Sequence, residues 1–209
     1  MSVNYPEFIV KSVEILNDGG VIAIPTDTLY ALSANTFNSD GIQKVFGIKH
    51  RPLDMPVPLF IGELEDLTHY CSNIPELAWK LGEIFWPGGL SIVLNKDICI
   101  PDTVTGSKGT VALRIPDHPI PRQLVKLLKA PLTGTSANIS GNPPCTTASE
   151  VKDQFGKEID LIIDGGQLNL NVPSTIVDLT GQTPKILRLG AVTTDSLSKV
   201  IGKHTKLIR

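Results

Sequence analysis

Residues 174–189 read STIVDLTGQTPKILRL. Two runs rich in β-branched and aliphatic residues, STIVDL and PKILRL, flank Thr180-Gly181-Gln182. A glycine-centred break between two such runs signals a β-hairpin, and so an antiparallel strand pair. Elsewhere, candidate strands are separated by helices, as in parallel crossovers. A chain that carries both arrangements predicts a mixed sheet with helices packed on it, an α/β fold.

The other elements fit that frame. Ile9, Val13 and Leu16 recur at helical spacing, and Gly19-Gly20 stops the helix. VIAIP (21–25) is a short buried strand, and 39–48 is a helix with Ile42, Val45 and Phe46 inward. VPLFI (57–61) is a further strand. A helix starts near Pro75, carries Leu77, Leu81, Ile84 and Phe85, and ends at Pro87-Gly88-Gly89. LSIVLN and TVALRIP are strands, followed by a helix from about Pro121 to Lys129. PLTGT is a short strand, Thr147-x-x-Glu150 is a capping box opening a helix, DLIID is a strand, and 193–201 is a closing helix.

Composition sets limits. The chain has 209 residues, a length that suits one domain. Hydrophobic residues are 41% and charged residues 19%, which is globular rather than disordered. A net charge of −2 supplies no global basic field for nucleic acid, so an anion site must be built locally. Cys71, Cys99 and Cys145 lack C-x-x-C spacing, and their number is odd, so buried or half-buried free thiols are expected. His50, His69, His118 and His204 lack metal-ligand spacing. No signal peptide or membrane-spanning run is visible, and a cytoplasmic location is expected.

Candidate chemistry sits at strand ends, where α/β proteins hold ligands. PTDTLYAL (25–32) brings Thr26, Asp27 and Thr28, whose oxygens can bond a ligand or their own backbone. In GIKHRPLDMPVPLFI (47–61), Lys49 and Arg51 lie near a helix end. They either offset the helix dipole or face a phosphate from a proline-stiffened loop. Arg114 stands in an apolar strand and needs a partner: an acidic neighbour such as Asp117, or a ligand carboxylate. Arg188 poses the same alternatives. TGTSANISG (133–141) can cradle phosphate on backbone N–H groups, although it has neither P-loop nor G-x-G-x-x-G order. No nucleophile elbow or carboxylate pair stands out. The set suits binding and orienting anions, with catalysis through positioning and charge neutralisation.

PTDTLYAL, KHRP, WPGGLSIVL, VALRIPDHP, TSANISG, PSTIVDL and ILRLGAV occur here in the order and spacing of the YrdC-domain family. The chain resembles that family from about Gly20 to Val192. The resemblance implies one YrdC-like domain over 1–209, the short form, built on an open twisted mixed sheet with a large basic concave cavity. It implies threonylcarbamoyl-AMP synthase activity. L-threonine, bicarbonate and ATP, with Mg2+ on the nucleotide, give threonylcarbamoyl-adenylate and pyrophosphate. A separate threonylcarbamoyl transferase complex then modifies adenosine 37 of tRNA.

By motif, the resemblance places Thr28, Arg114, Gly134 and Ser174 at threonine. It places Lys49 and Arg51 at the ATP phosphates as the catalytic cations, and Met55, Thr110, Ser136, Asn138 and Arg188 at other ATP contacts. It implies no metal ligand from the protein. Ala31 replaces a family glycine, Met55 an Asn, Phe60 a His, and WPGG replaces Trp-Pro-Gly-Pro. Two competing readings are an RNA-binding module, with weak RNA binding as a secondary property, and a domain that binds ATP and threonine without turnover.

Overall fold

The computed structural model describes residues 5–202 and 206–207. His204 and Arg209 lie outside them. The strands are β1 (Ile22–Ile24), β2 (Ala31–Ser33), β3 (Leu59–Phe60), β4 (Leu90–Asn95), β5 (Thr110–Arg114), β6 (Leu132–Thr133), β7 (Thr135–Ser136), β8 (Leu161–Ile162), β9 (Thr175–Asp178), β10 (Lys185–Arg188) and β11 (Lys206–Leu207). The helices are α1 (Glu7–Asn17), α2 (Ser39–Ile48), α3 (Leu67–Tyr70), α4 (Glu76–Phe85), α5 (Asp102–Thr105), α6 (Pro119–Leu128), α7 (Ala148–Phe155) and α8 (Thr194–Ile201).

The hairpin forms as expected: β9 and β10 pair antiparallel, with Ile186 opposite Val177. The strands divide into two mixed sheets rather than one. The larger runs β11-β10-β9-β4-β5-β3-β6 and the smaller β7-β2-β1-β8. PLTGT is the reason for the division. Instead of one strand it is two, with β6 pairing β3 in the large sheet and β7 pairing β2 in the small one. The chain passes between sheets at Gly134, whose N–H donates to the Pro58 carbonyl at 2.7 Å.

Thr133 ties the two sheets at this crossing. Its Oγ1 accepts from the Ala34 N–H at 2.9 Å and donates to the Leu32 carbonyl at 3.2 Å. Gly134 is required here because a Cβ would come within 2.4 Å of the Phe60 ring. Phe60 is itself buried, so the ring has little room to retreat. Gly134→Ala should cost about 1–3 kcal/mol through overpacking. A urea midpoint equal to that of the parent would refute this.

Local rules account for most element ends. Asn38 caps α2 by accepting from the Asp40 and Gly41 N–H groups, and Ile42, Val45 and Phe46 turn inward. Thr147 and Glu150 form the expected capping box of α7. α1 gives way to Gly19 at φ +81°, a conformation that favours glycine. α6 starts at Pro119, two residues before the expected Pro121, because the His118 ring nitrogen accepts from the Ile120 N–H and proline suits the first turn.

β2 is a strand where the sequence suggested only a strand-end loop, since its residues pack on β1 in register. Ile9, Leu16, Ile22, Ile24, Leu124 and Leu132 form one buried cluster beneath α1 and α6, and a larger cluster fills the remaining interior. Cys71 and Cys145 are buried free thiols as expected, whereas Cys99 is exposed. Among the described residues no helix is long and apolar enough to cross a membrane.

Candidate active site

Side chains alternate across a strand, so residues two apart share a face. On β5 those are Thr110, Ala112 and Arg114, and on β9 Ile176 and Asp178, in step with Ser174 just before the strand. Together with Val93 of β4, they line a cavity of about 350 Å³. Thr26, residues 28–31 and the 134–136 crossing line it as well. That volume lies within the range of small-molecule sites. Of the lining side chains, Arg51, Lys108, Arg114 and Arg188 are cationic, and Asp178 is the carboxylate among them.

Arg114 is 4% exposed. Its Nη2 pairs with Asp27 Oδ1 at 2.6 Å, its Nη1 donates to Thr28 Oγ1 at 2.9 Å, and its Nε donates to the Gly88 carbonyl at 2.8 Å. The ion-pair partner is therefore Asp27, not the sequence neighbour Asp117. Asp117 instead donates its backbone N–H to the same Asp27 oxygen at 3.0 Å. Burial lowers the Arg114 pKa, and Asp27 works against that shift. A guanidinium has five N–H groups. Three are assigned, which leaves two for a ligand in the cavity. The Phe60 ring centroid lies 5.9 Å from the guanidinium carbon.

Arg188 is exposed and forms no ion pair among the described residues. Its Nε and Nη2 donate to the Ser174 carbonyl at 3.0 and 2.8 Å, and Nη2 reaches Ser174 Oγ at 3.1 Å. Ser174 Oγ also meets Ser91 Oγ at 2.9 Å. Partial burial and the nearby Arg114 lower the Arg188 pKa. Asp27 offsets the charge of Arg114, whereas Arg188 has no carboxylate partner among the described residues, and a cation so placed on the cavity lining suits an anionic ligand.

The K-x-R pair separates in space. Arg51 lines the cavity, fixed by the Met55 and Pro56 carbonyls at 3.2 and 2.8 Å. Lys49 does not line it. This residue is 2% exposed, and its Nζ donates to the Ser136 and Asn138 carbonyls at 2.6 and 2.7 Å. Burial, and secondarily Arg51, lower its pKa to about 8. Asn138 also stands behind the wall, accepting from Ser136 Oγ at 2.6 Å and donating to the Asn142 carbonyl at 2.8 Å. Met55 is exposed and is not among the residues that line the cavity. Thr28, Arg51, Thr110, Arg114, Gly134, Ser136, Ser174 and Arg188 all reach the cavity, while Lys49, Met55 and Asn138 do not.

Tyr30 braces another edge. Its hydroxyl donates to the Gly166 carbonyl at 3.0 Å and accepts from the Gly165 N–H at 2.9 Å. Tyr30→Phe leaves both groups short of a partner and should cost about 1–2 kcal/mol. Equal urea midpoints for the variant and the parent would contradict the bracing role.

The Sua5/YciO/YrdC family profile, described as "Telomere recombination", matches residues 14–190. The chain belongs to the Sua5/YciO/YrdC family. A relative from Pyrococcus abyssi named threonylcarbamoyl-AMP synthase is 40% identical over 188 residues, covering 90% of this chain and 55% of the relative. One of the same name from Vibrio parahaemolyticus is 33% identical over 177 residues, covering 84% of this chain and 95% of the relative. The crystal structure of P. abyssi Sua5 complexed with L-threonine superposes with a TM-score of 0.94 at 37% identity, covering 99% of this chain and 61% of that one. The chain thus spans little more than half of the P. abyssi protein, and nearly all of the Vibrio one.

Within the Sua5/YciO/YrdC frame, sequence reasoning missed Asp27 as the partner of Arg114, and Asp178 and Lys108 as lining residues. Asp178 carried a usable signal, because it lies four residues after Ser174 and thus on the same face of the strand. Asp27 carried none in linear order, since it lies 87 positions from Arg114.

Proposed function

We propose that the chain is a threonylcarbamoyl-AMP synthase that joins L-threonine, bicarbonate and ATP. The observation that supports this best is Arg114, a buried guanidinium with two N–H groups to spare in a cavity lined by three further cations. Such a fork suits a carboxylate. The threonine carboxylate would sit on Arg114, with Thr28, Ser174 and the Gly134 backbone around it. Arg51 and Arg188 would face the triphosphate, with Thr110 and Ser136 as further ATP contacts. Lys49 and Asn138 would support the 136–138 loop from behind, and Met55 would contribute its carbonyl to Arg51.

The chemistry would run in two steps. The threonine amine attacks the carbon of bicarbonate, water leaves, and a carbamate forms. A carbamate oxygen then attacks the α-phosphorus, the bond to the bridging α–β oxygen breaks, and pyrophosphate departs. The cations offset charge that develops on the phosphates. Mg2+ would enter with the nucleotide and offset charge on the triphosphate. The product would supply tRNA N6-threonylcarbamoylation, carried out by a separate transferase. Residues 1–209 would act as one domain.

The test is pyrophosphate release from ATP with Mg2+ and bicarbonate, with and without L-threonine. Release that requires both bicarbonate and threonine supports the proposal. ATP binding without release identifies a binding domain, and salt-dependent RNA binding with no nucleotide requirement identifies an RNA-binding module. Either of those results overturns it.

A further inference from the structure

We propose that Asp178 reads the exocyclic amine of the nucleotide base and makes the site selective for adenine; this rests on the synthase reading above. Asp178 is half-buried and is the carboxylate among four cations in the cavity lining. Its Oδ1 accepts from the Thr180 N–H at 2.9 Å and from Thr180 Oγ1 at 2.7 Å. Those bonds fix the carboxylate. Its Oδ2 has no hydrogen-bond partner among the described residues. A fixed carboxylate with one oxygen left over is an acceptor awaiting a donor.

Position excludes a role at threonine. Asp178 lies four residues along β9 from Ser174, about 13 Å at strand rise. A small amino acid held at Ser174 and Arg114 does not extend that far. Between the two polar ends the floor is Ala112, Val93 and Ile176, small or branched apolar side chains on three adjacent strands. A flat aromatic base fits such a floor, and its edge would meet Asp178. A ribose would place hydroxyls against that apolar surface without partners. An adenine amine donates to a carboxylate, whereas a 6-keto oxygen would face a like acceptor. A site built to bond a donor discriminates strongly against the analogue that lacks it.

Asp178→Asn makes the test sharp. The Thr180 N–H needs an acceptor, so the carboxamide oxygen takes that place and the NH2 group turns to the base. Donor then faces donor. Binding of ATP, of purine riboside triphosphate (which lacks the amine) and of 2′-deoxy-ATP would be measured by calorimetry without threonine. This readout is independent of turnover, so failure of the synthase reading would show separately in the pyrophosphate assay.

The parent should bind ATP at least about tenfold more tightly than the analogue without the amine. Asp178→Asn should erase that difference, and so should Asp178→Ser, which guards against a folding defect in either variant. Equal affinities in the parent, or a difference that survives both substitutions, would overturn the proposal. So would a loss that follows the 2′-hydroxyl and disappears in Asp178→Asn, which would move Asp178 to the ribose.

Discussion

Arg114→Ala should weaken threonine binding by about 2–5 kcal/mol, the usual cost of removing one member of a desolvated charge pair. The expected signature is a rise in the threonine KM of about thirtyfold or more. Two effects add. The ligand carboxylate loses its fork, and Asp27, whose side chain is 16% exposed, loses its ion pair. The second effect predicts lower stability even without ligand. Arg114→Lys separates the two. A lysine can still pair with Asp27, but it lacks the planar second pair of donors. That variant should keep most of the stability and still bind threonine poorly. Unchanged threonine dependence in Arg114→Ala would remove Arg114 from the substrate site.

Lys49→Met should cost about 3 kcal/mol of stability, because the Ser136 and Asn138 carbonyls lose a donor at 2.6 and 2.7 Å. The substitution should also reduce ATP binding through the slackened 136–138 loop. A direct phosphate ligand would leave the unliganded protein's stability intact, so urea unfolding without nucleotide distinguishes the two roles.

The same lysine predicts a pH effect of unusual sign. Its folded pKa of about 8 lies below the ordinary 10.5. Between those values the unfolded chain holds the proton and the folded chain releases it, so unfolding takes up protons and stability rises with pH. Relative to Lys49→Met, the parent should gain about 2 kcal/mol between pH 7 and pH 9.5. A parent that loses ground over that interval would contradict the burial of this ammonium.

Local signals carried much of the fold. The Thr180-Gly181-Gln182 break placed the hairpin, the Thr147–Glu150 box placed a helix start, and LSIVLN is β4 residue for residue. The division into two sheets was not legible. It turns on Gly134, where a single residue moves the chain from β3 to β2, and only the Phe60 ring from a distant strand explains the glycine. β2 was hidden because its three residues follow directly on a turn rich in hydroxyls.

At the site, the type of residue was legible and its partner was not. An arginine in an apolar strand announced a need for a counter-charge. That the counter-charge comes from Asp27 is a fact of tertiary structure. Lys49 was legible only as a cation. Its place beside Arg51 suggested a shared target, but the helix end turns its side chain into the protein, toward carbonyls that sequence spacing does not reveal.

The crossing at Gly134 also governs where this chain can change length. Side-chain facing in a strand has a period of two, so one residue added or lost between Thr133 and Thr135 would invert every side chain beyond it. Ser136 would leave the cavity, and Thr135 would leave its register with Leu32. Insertions should therefore be excluded from this segment throughout the family. The turn at residues 180–184, which joins two strands already paired along their length, is where they should accumulate.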